Sequence, residues 1–219
     1  MGRERAAGLE SVRVAEALRE DIMLGRRQPG SRLIERDIAA ELQVSRLPVR
    51  EAIRALVADG IVVTRPHSGA VVREFSVRNL QDFAEVRTAV ETLAFELATQ
   101  RADEEGLAGL EAIIAEEEAS AASGDIQAAR RASARFHVTA VHLAENDMLA
   151  ELADSLVTRL RWLFGQHDEL ADTAASHREI LQAMRARDVD AIKTLIPAHL
   201  AAGREAAEGR LRARRAAAG

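Results

Sequence analysis

Residues 35–60 read ERDIAAELQVSRLPVREAIRALVADG, and this stretch decides the fold of the first third of the chain. Apolar residues recur at helical spacing on both sides of Gln43-Val44-Ser45, a segment long enough only for a tight turn. The pattern predicts one helix over 35–42 and another over 47–59. Pro48 falls in the first turn of the second helix, where its missing N–H costs little.

The flanking sequence completes a compact motif. Upstream, 12–24 has a helical apolar stripe, with Ser11 as a plausible N-cap. Downstream, the β-branched runs 61–64 and 70–72 are separated by the five-residue loop 65–69, which indicates a hairpin. Three helices with a tight turn between the last two, followed by a hairpin, predict a winged helix-turn-helix.

From Arg78 onward every segment is predicted to be helical, and each break carries a residue that favours helix caps. The expected helices cover 78–101, 103–122, 125–144, 147–168, 172–187 and 188–214. The predicted fold class is therefore mainly α, a winged helix-turn-helix followed by an all-α six-helix bundle. The predicted domains are 1–72, the winged helix-turn-helix, and 78–214, the helical bundle, joined by a linker at 73–77 and followed by a tail at 215–219.

Composition narrows the function classes. The 219 residues are 47% hydrophobic and 30% charged, which supports a folded core, and the net charge is −5. With no cysteine, disulfides, thiolate catalysis and cysteine-based zinc fingers are excluded. No apolar stretch is long enough for a membrane span, and the charged N-terminus lacks the apolar region of a secretion signal. We expect a soluble cytoplasmic protein without a membrane partner.

Basic residues cluster where a recognition helix would meet DNA. Ser45 and Arg46 begin the third helix, and Arg50 follows Arg46 at i+4 on the same face. Arginine can grip guanine or phosphate through two parallel hydrogen bonds. The alternative is an ordinary solvated helix face, but the turn, the helix and the hairpin in register favour DNA. The predicted DNA-binding residues are Arg36, Ser45, Arg46 and Arg50 on the helices, with Arg65, His67 and Gly69 in the hairpin.

The stretches LIERDIA (33–39), QVSRLPVREAI (43–53) and GAVV (69–72) resemble the DNA-binding domain of GntR-family transcription regulators. This resemblance implies a homodimer that binds a palindromic operator. It also implies contacts from the three helical arginines, with Ser45 beside them and Gly69 in the wing. Leu47 departs from the family, which usually has threonine or another small residue there.

Three histidines in the second half of the chain lie on the inward stripes of three different predicted helices: His137, His177 and His199. Converging neutral imidazoles form a metal site with open positions for water or a small ligand. The alternative for each is a hydrogen-bonded histidine in the core. His142 lies about 140° around its helix from His137 and is not expected to join them.

This half resembles the FCD domain of the FadR branch of GntR regulators, in EVRTAVE (85–91), RFH (135–137), ENDML (145–149), SHREIL (176–181) and AHL (198–200). The resemblance implies that the three histidines bind zinc or nickel. It also implies a fourth, acidic or amide, ligand one turn before His137, where this chain has Ser133, a poor ligand. His167 is a possible substitute. Arg87 resembles an arginine that faces a carboxylate effector, although it could instead pair with Glu91 at i+4.

These features predict a ligand-responsive regulator with a small carboxylate effector at a divalent metal, and the analogy with the family predicts a repressor. The alternative is the same regulator with a metal-free organic pocket, which Ser133 favours. A metal-dependent hydrolase is a third hypothesis. It is disfavoured because no carboxylate is clearly placed as a general base and because the chain carries a winged helix. We therefore do not expect an enzyme.

Overall fold

The computed structural model describes residues 2–23, 25–66, 68–153 and 169–218. The chain forms two compact units, Met1–Glu74 and Phe75–Gly219. Among the described helices, none is both long enough and apolar enough to cross a membrane.

The first unit is a winged helix-turn-helix, as predicted. Its helices are α1 (Gly2–Met23), α2 (Glu35–Glu41) and α3 (Arg46–Ala58), followed by β1 (Val62–Arg65) and β2 (Gly69–Val72). The strands pair antiparallel, from Val62 opposite Val72 to Arg65 opposite Gly69. In addition, Arg32 forms an isolated bridge with Val71, which ties the chain before α2 to the hairpin.

The apolar stripes of the helices form the core of this unit. Leu18 and Ile22, one turn apart on α1, are buried, as are Val49 and Leu56 on α3, and the two helices pack on each other. Burial of these faces leaves the N-terminal turn of α3 on the surface.

The start of α1 differs from the sequence prediction. The helix begins at Gly2, and Ser11 is an interior residue whose hydroxyl donates to the carbonyl of Gly8. The prediction that Ser11 is an N-cap was therefore wrong. A serine hydroxyl can bond back to a carbonyl of the preceding turn as readily as it can cap, and the residues before it contain no helix breaker strong enough to stop the helix.

The described part of the second unit contains six helices: α4 (Val77–Arg101), α5 (Glu104–Ser123), α6 (Ile126–Leu143), α7 (147–153), α8 (Leu170–Arg185) and α9 (Val189–Ala218). The rest of the helix predicted over 147–168 lies outside the described residues. The mainly α fold class is thus confirmed. The last helix continues through Pro197 to Ala218, so most of the segment predicted as a tail is helical.

Local capping fixes several of these helix starts. Ser76 and Asn79 form a capping box at α4, and Asp103 and Asp125 cap α5 and α6 through backbone N–H groups three residues on. Helix α8 instead begins at Leu170, two residues before the predicted start at 172, without a side-chain cap.

The core of the second unit draws residues from α4, α5, α6, α8 and α9. Phe95 and Phe136 lie at its centre with ring centroids 5.6 Å apart. The ring of Phe136 also stacks on that of His177, with 4.2 Å between centroids. The aromatic core therefore forms one wall of the region where the histidines meet.

Candidate metal centre and nucleic-acid interface

The structure brings the three predicted histidines together from three helices, His137 from α6, His177 from α8 and His199 from α9. Their Nε2 atoms form a triangle, 3.3 Å from His177 to His137, 3.2 Å from His177 to His199 and 3.3 Å from His199 to His137. An ion held tetrahedrally at about 2.0–2.1 Å from each nitrogen spaces them about 3.3–3.4 Å apart. The three nitrogens therefore fit one face of a tetrahedral metal site.

The other ring nitrogen of each histidine is also engaged. His177 Nδ1 is hydrogen-bonded to Glu117 Oε2 at 2.7 Å, and His199 Nδ1 to the hydroxyl of Ser176 at 3.0 Å. The third, His137 Nδ1, lies 2.8 Å from Glu91 Oε2. Partners at Nδ1 fix the orientation of a ligating ring and leave Nε2 for the metal.

The two glutamates behind these rings are both buried, but their environments differ. Glu91 Oε1 accepts a hydrogen bond from Arg87 Nε at 2.7 Å. Burial alone would raise the pKa of Glu91, but the Arg87 guanidinium and the His137 ring outweigh it and hold that pKa well below its usual range. Burial raises the pKa of Glu117 to about 8, an effect partly opposed by a hydrogen bond from the Ser133 hydroxyl.

A cavity of about 350 Å³ lies beside the histidines. Its lining includes His137, His199 and Ser133, together with the basic residues Arg87 and Arg130 and the exposed acids Glu169, Asp172 and Glu179. Arg87 pairs with Glu91, as one alternative from the sequence has it, and it also lines the cavity. Its role toward an effector stays a prediction. His142 is exposed on α6 and takes no part in the cluster. His167 lies outside the described residues.

The arginines predicted to contact DNA are exposed, Arg36 at the start of α2 and Arg46 and Arg50 in the first two turns of α3. The exposed fraction of the side chain is 82% for Arg36, 63% for Arg46 and 47% for Arg50. The Glu35 carboxylate accepts two hydrogen bonds from Arg50, each 3.0 Å long, and one of 3.2 Å from Arg46. The hydrogen bond from Arg50 and the one from Arg46 lower the pKa of Glu35. Ser45 is the N-cap residue of α3, yet its side chain makes no capping hydrogen bond there.

The wing presents the other predicted contacts at the end of the hairpin. Arg65 pairs with Gly69 across the strands and forms a 2.9 Å ion pair with Glu74. Gly69 has φ of +71°, and a Cβ placed there would meet no atom within 4 Å. This opening allows the backbone to approach another molecule closely. His67 lies outside the described residues.

Sequence reasoning missed Glu35, Glu117 and Ser176 as parts of these two sites. A signal for Glu117 was available, because it continues the spacing of the buried residues Leu107, Leu110 and Ile114 on the inward face of α5. A charged residue on such a stripe requires a buried partner. Glu35 and Ser176 carried no comparable signal, since their partners are fixed only by tertiary packing.

Comparison with known proteins agrees with this architecture. Residues 10–72 match the model of the family described as bacterial regulatory proteins, gntR family, and residues 82–202 match the FCD domain. The Nta operon transcriptional regulator of Aminobacter aminovorans is 31% identical over 79% of this chain and 82% of its own length. The probable D-xylose utilization operon transcriptional repressor of Paenarthrobacter nicotinovorans is 32% identical over 89% of this chain and 88% of its own length.

Solved structures share the fold. A GntR-type transcriptional regulator from Rhodococcus sp. RHA1 superposes with a TM-score of 0.75 at 26% identity, covering 91% of this chain and 97% of that one. The relatives and both domain matches are those of transcription regulators, not of enzymes. The chain belongs to the GntR family of bacterial transcription regulators and combines its DNA-binding domain with an FCD domain.

Proposed function

We propose that this DNA-binding regulator is a repressor that responds to a small carboxylate held at a divalent metal, zinc or nickel, on His137, His177 and His199. The observation that carries the proposal is the triangle of Nε2 atoms, 3.2–3.3 Å on each side, beside a cavity that Arg87 also lines. When bound, the metal supplies a Lewis-acidic anchor for an effector oxygen.

Two residues beside the metal position orient a ligand and hold the group that would meet the effector. Glu91 orients His137 and neutralises Arg87 at the same time, which keeps the guanidinium in place at the cavity wall. A guanidinium can meet a carboxylate in a planar geometry with two parallel hydrogen bonds, and this is the role we propose for Arg87. Effector binding then favours one arrangement of the helices, and the coupling to DNA equals the difference in effector affinity between the two states.

On the DNA side, we propose that Arg36, Ser45, Arg46 and Arg50 contact the operator in the major groove while the wing contacts it through Arg65, His67 and Gly69. The fork of each arginine can bind guanine bidentately or grip a phosphate. The position of these groups at the exposed start of α3 supports the assignment. Because it acts on DNA, we propose that the protein works in the cytoplasm.

A homodimer on a palindromic operator is supported by apolar side chains exposed on α4 and α7. Val86 and Leu93 on α4, and Met148 and Leu152 on α7, expose between 46% and 74% of their surface. The two helices pack on each other through a common apolar cluster. An exposed apolar face on two helices that pack on each other is a candidate surface for a second subunit.

The decisive experiment is elemental analysis of the purified untagged wild type beside the variant His137→Ala, without chelators. We expect close to one zinc or nickel per chain in the wild type and its loss in the variant, because removal of one of three ligands opens the site. His142→Ala, on the exposed face of the same helix, is the matched control and should retain the metal.

The same experiment separates the two effector hypotheses. A wild type that remains free of metal after incubation with excess zinc and nickel contradicts the metal site and favours the metal-free organic pocket. That outcome is favoured by one observation, the serine in place of an acidic ligand at position 133. The DNA-binding assignment is independent of either result.

A further inference from the structure

The charges around the three histidines can be counted among the described residues. The buried charged or ionisable side chains there are Arg87, Glu91, Glu117 and His177. A divalent ion on three neutral imidazoles adds two positive charges. Arg87 and Glu91 cancel each other through their 2.7 Å ion pair. Glu117 is therefore the buried carboxylate left to balance the ion, whose positive charge would favour the ionised form that burial alone disfavours.

Glu117 reaches the metal position through one ring and does not ligate. Its Oε2 lies 2.7 Å from His177 Nδ1, the far side of the ring from the Nε2 that faces the other histidines. Among the described residues, the cluster of potential ligands contains the three histidines and no carboxylate. Ser133, one turn before His137 on α6, is hydrogen-bonded to the Glu117 carboxylate. The small serine side chain is thus oriented by Glu117.

We propose that Glu117 is the charge-balancing and positioning residue of the metal centre, acting through His177 in place of a carboxylate ligand, and that the site keeps one positive charge facing the cavity. This inference rests on the metal site of the proposed function and adds the mode of its charge balance. This remaining charge is counted over the buried groups. The acids Glu169, Asp172 and Glu179 at the cavity are exposed, so solvent screens their charges. The buried charge attracts a singly charged anion, such as a carboxylate, to the open coordination position.

The physical reason is that a carboxylate behind a ligating histidine both fixes the ring and makes it a stronger donor. Loss of such a partner typically weakens metal binding about 10- to 100-fold. A carboxylate among the ligands would cancel the remaining positive charge and occupy the position that the effector needs. The buried location of Glu117 leaves that position open.

The first test measures the affinity of the metal-free full-length protein for Co²⁺ alone, by competition with a chelating dye. We expect Glu117→Gln, which keeps the shape but removes the charge, to bind Co²⁺ about 10- to 100-fold more weakly. The control is Glu118→Gln. Glu118 is the next residue on α5 and pairs with Arg178, so this variant should bind Co²⁺ as tightly as the wild type does. Thermal unfolding without metal checks that both variants are folded.

The second test places the carboxylate among the ligands. Ser133→Asp should bind Co²⁺ more tightly than the wild type. In that background Glu117→Gln should lower the affinity for Co²⁺ much less than it does in the wild type, because both carboxylates balance the charge of the same ion. Acetate should perturb the visible spectrum of the Co²⁺ protein in the wild type and much less in Ser133→Asp. A substitution that affected only the stability of the fold would leave this spectral response to acetate unchanged.

Each result has a definite meaning. Equal Co²⁺ affinity of Glu117→Gln and wild type overturns the role of Glu117 and leaves the metal site standing. If Glu117→Gln lowers the affinity for Co²⁺ equally in the wild type and in Ser133→Asp, the proposed charge balance is wrong. Equal acetate responses of the wild type and Ser133→Asp overturn it as well. A wild type that binds no Co²⁺ overturns this inference together with the metal site itself. Should Glu117→Gln fail to fold, the acetate responses of Ser133→Asp and wild type still test the charge that faces the cavity, and equal responses overturn the proposal.

Discussion

At the scale of the residue, Arg46 and Arg50 derive their positions from Glu35. The two arginines lie one turn apart at the start of α3, and Glu35 at the start of α2 accepts hydrogen bonds from both. Ion pairs this exposed contribute little to stability, because water screens the charges. They do restrict the long side chains to one region of the surface, which lowers the conformational cost of meeting DNA.

A substitution at Arg46 tests the role of the recognition helix. We expect Arg46→Ala to abolish specific operator binding, because a bidentate contact to a base is worth about 1–3 kcal/mol of discrimination and a dimer loses that contact in both half-sites. The measurement is the affinity for a duplex selected by the wild type from a random library. The control is Arg54→Ala on the same helix. Arg54 pairs with Glu51, and its loss should lower the affinity for the operator less than the loss of Arg46 does. Unchanged affinity of Arg46→Ala would contradict the assignment.

At the scale of the element, α6 carries the core and the site on adjacent residues. Phe136 is fully buried against Phe95 and stacks on His177, while His137 turns toward the metal position. Successive residues on a helix point about 100° apart, so one helix can serve both the core and the cavity wall. The packing of Phe136 thus supports the rings of His137 and His177, with which it is in contact.

We expect Phe136→Ala to lower the free energy of unfolding of the metal-free protein by about 3–5 kcal/mol, since it leaves a large cavity in the core. Ile126→Ala on the same helix is the control, because Ile126 is exposed and should change stability by less than about 0.5 kcal/mol. The measurement is denaturant unfolding followed by circular dichroism. A cost for Phe136→Ala as small as that for Ile126→Ala would show that this part of the core is not close-packed.

At the scale of the whole molecule, the chain separates its two tasks between its two units. The first presents arginines on a small helical surface, and the second holds the histidine cluster and its cavity. The exposed apolar residues of α4 and α7 belong to the second unit. A dimer formed there would bring two copies of the DNA-binding unit to one palindrome.

We therefore expect residues 76–219 to dimerise in isolation, as measured by light scattering. Leu93→Asp should give a monomer, because it places a charge on the exposed apolar face of α4. Glu85→Gln, a mild change on the same helix, should leave the dimer intact. A monomeric wild-type fragment would argue against a dimer interface in this unit.

Much of this molecule could be predicted from the sequence. The turn at Gln43-Val44-Ser45, the caps at Asp103 and Asp125, and the inward phase of the three histidines follow from spacings of a few residues. Ser11 is an instructive failure, since the same hydroxyl can cap a helix or bond back within one. Local signals of this kind place elements well and their ends less well.

What the sequence by itself determined is therefore the succession of elements and the face on which each functional side chain lies, because both depend on the short-range periodicity of the helix. Only the tertiary structure decided which side chains meet. Glu117 reaches His177 across 60 positions of the chain, and Glu35 reaches Arg50 across 15. Such pairings depend on how helices pack, which is a property of the whole core and of no single stretch of residues.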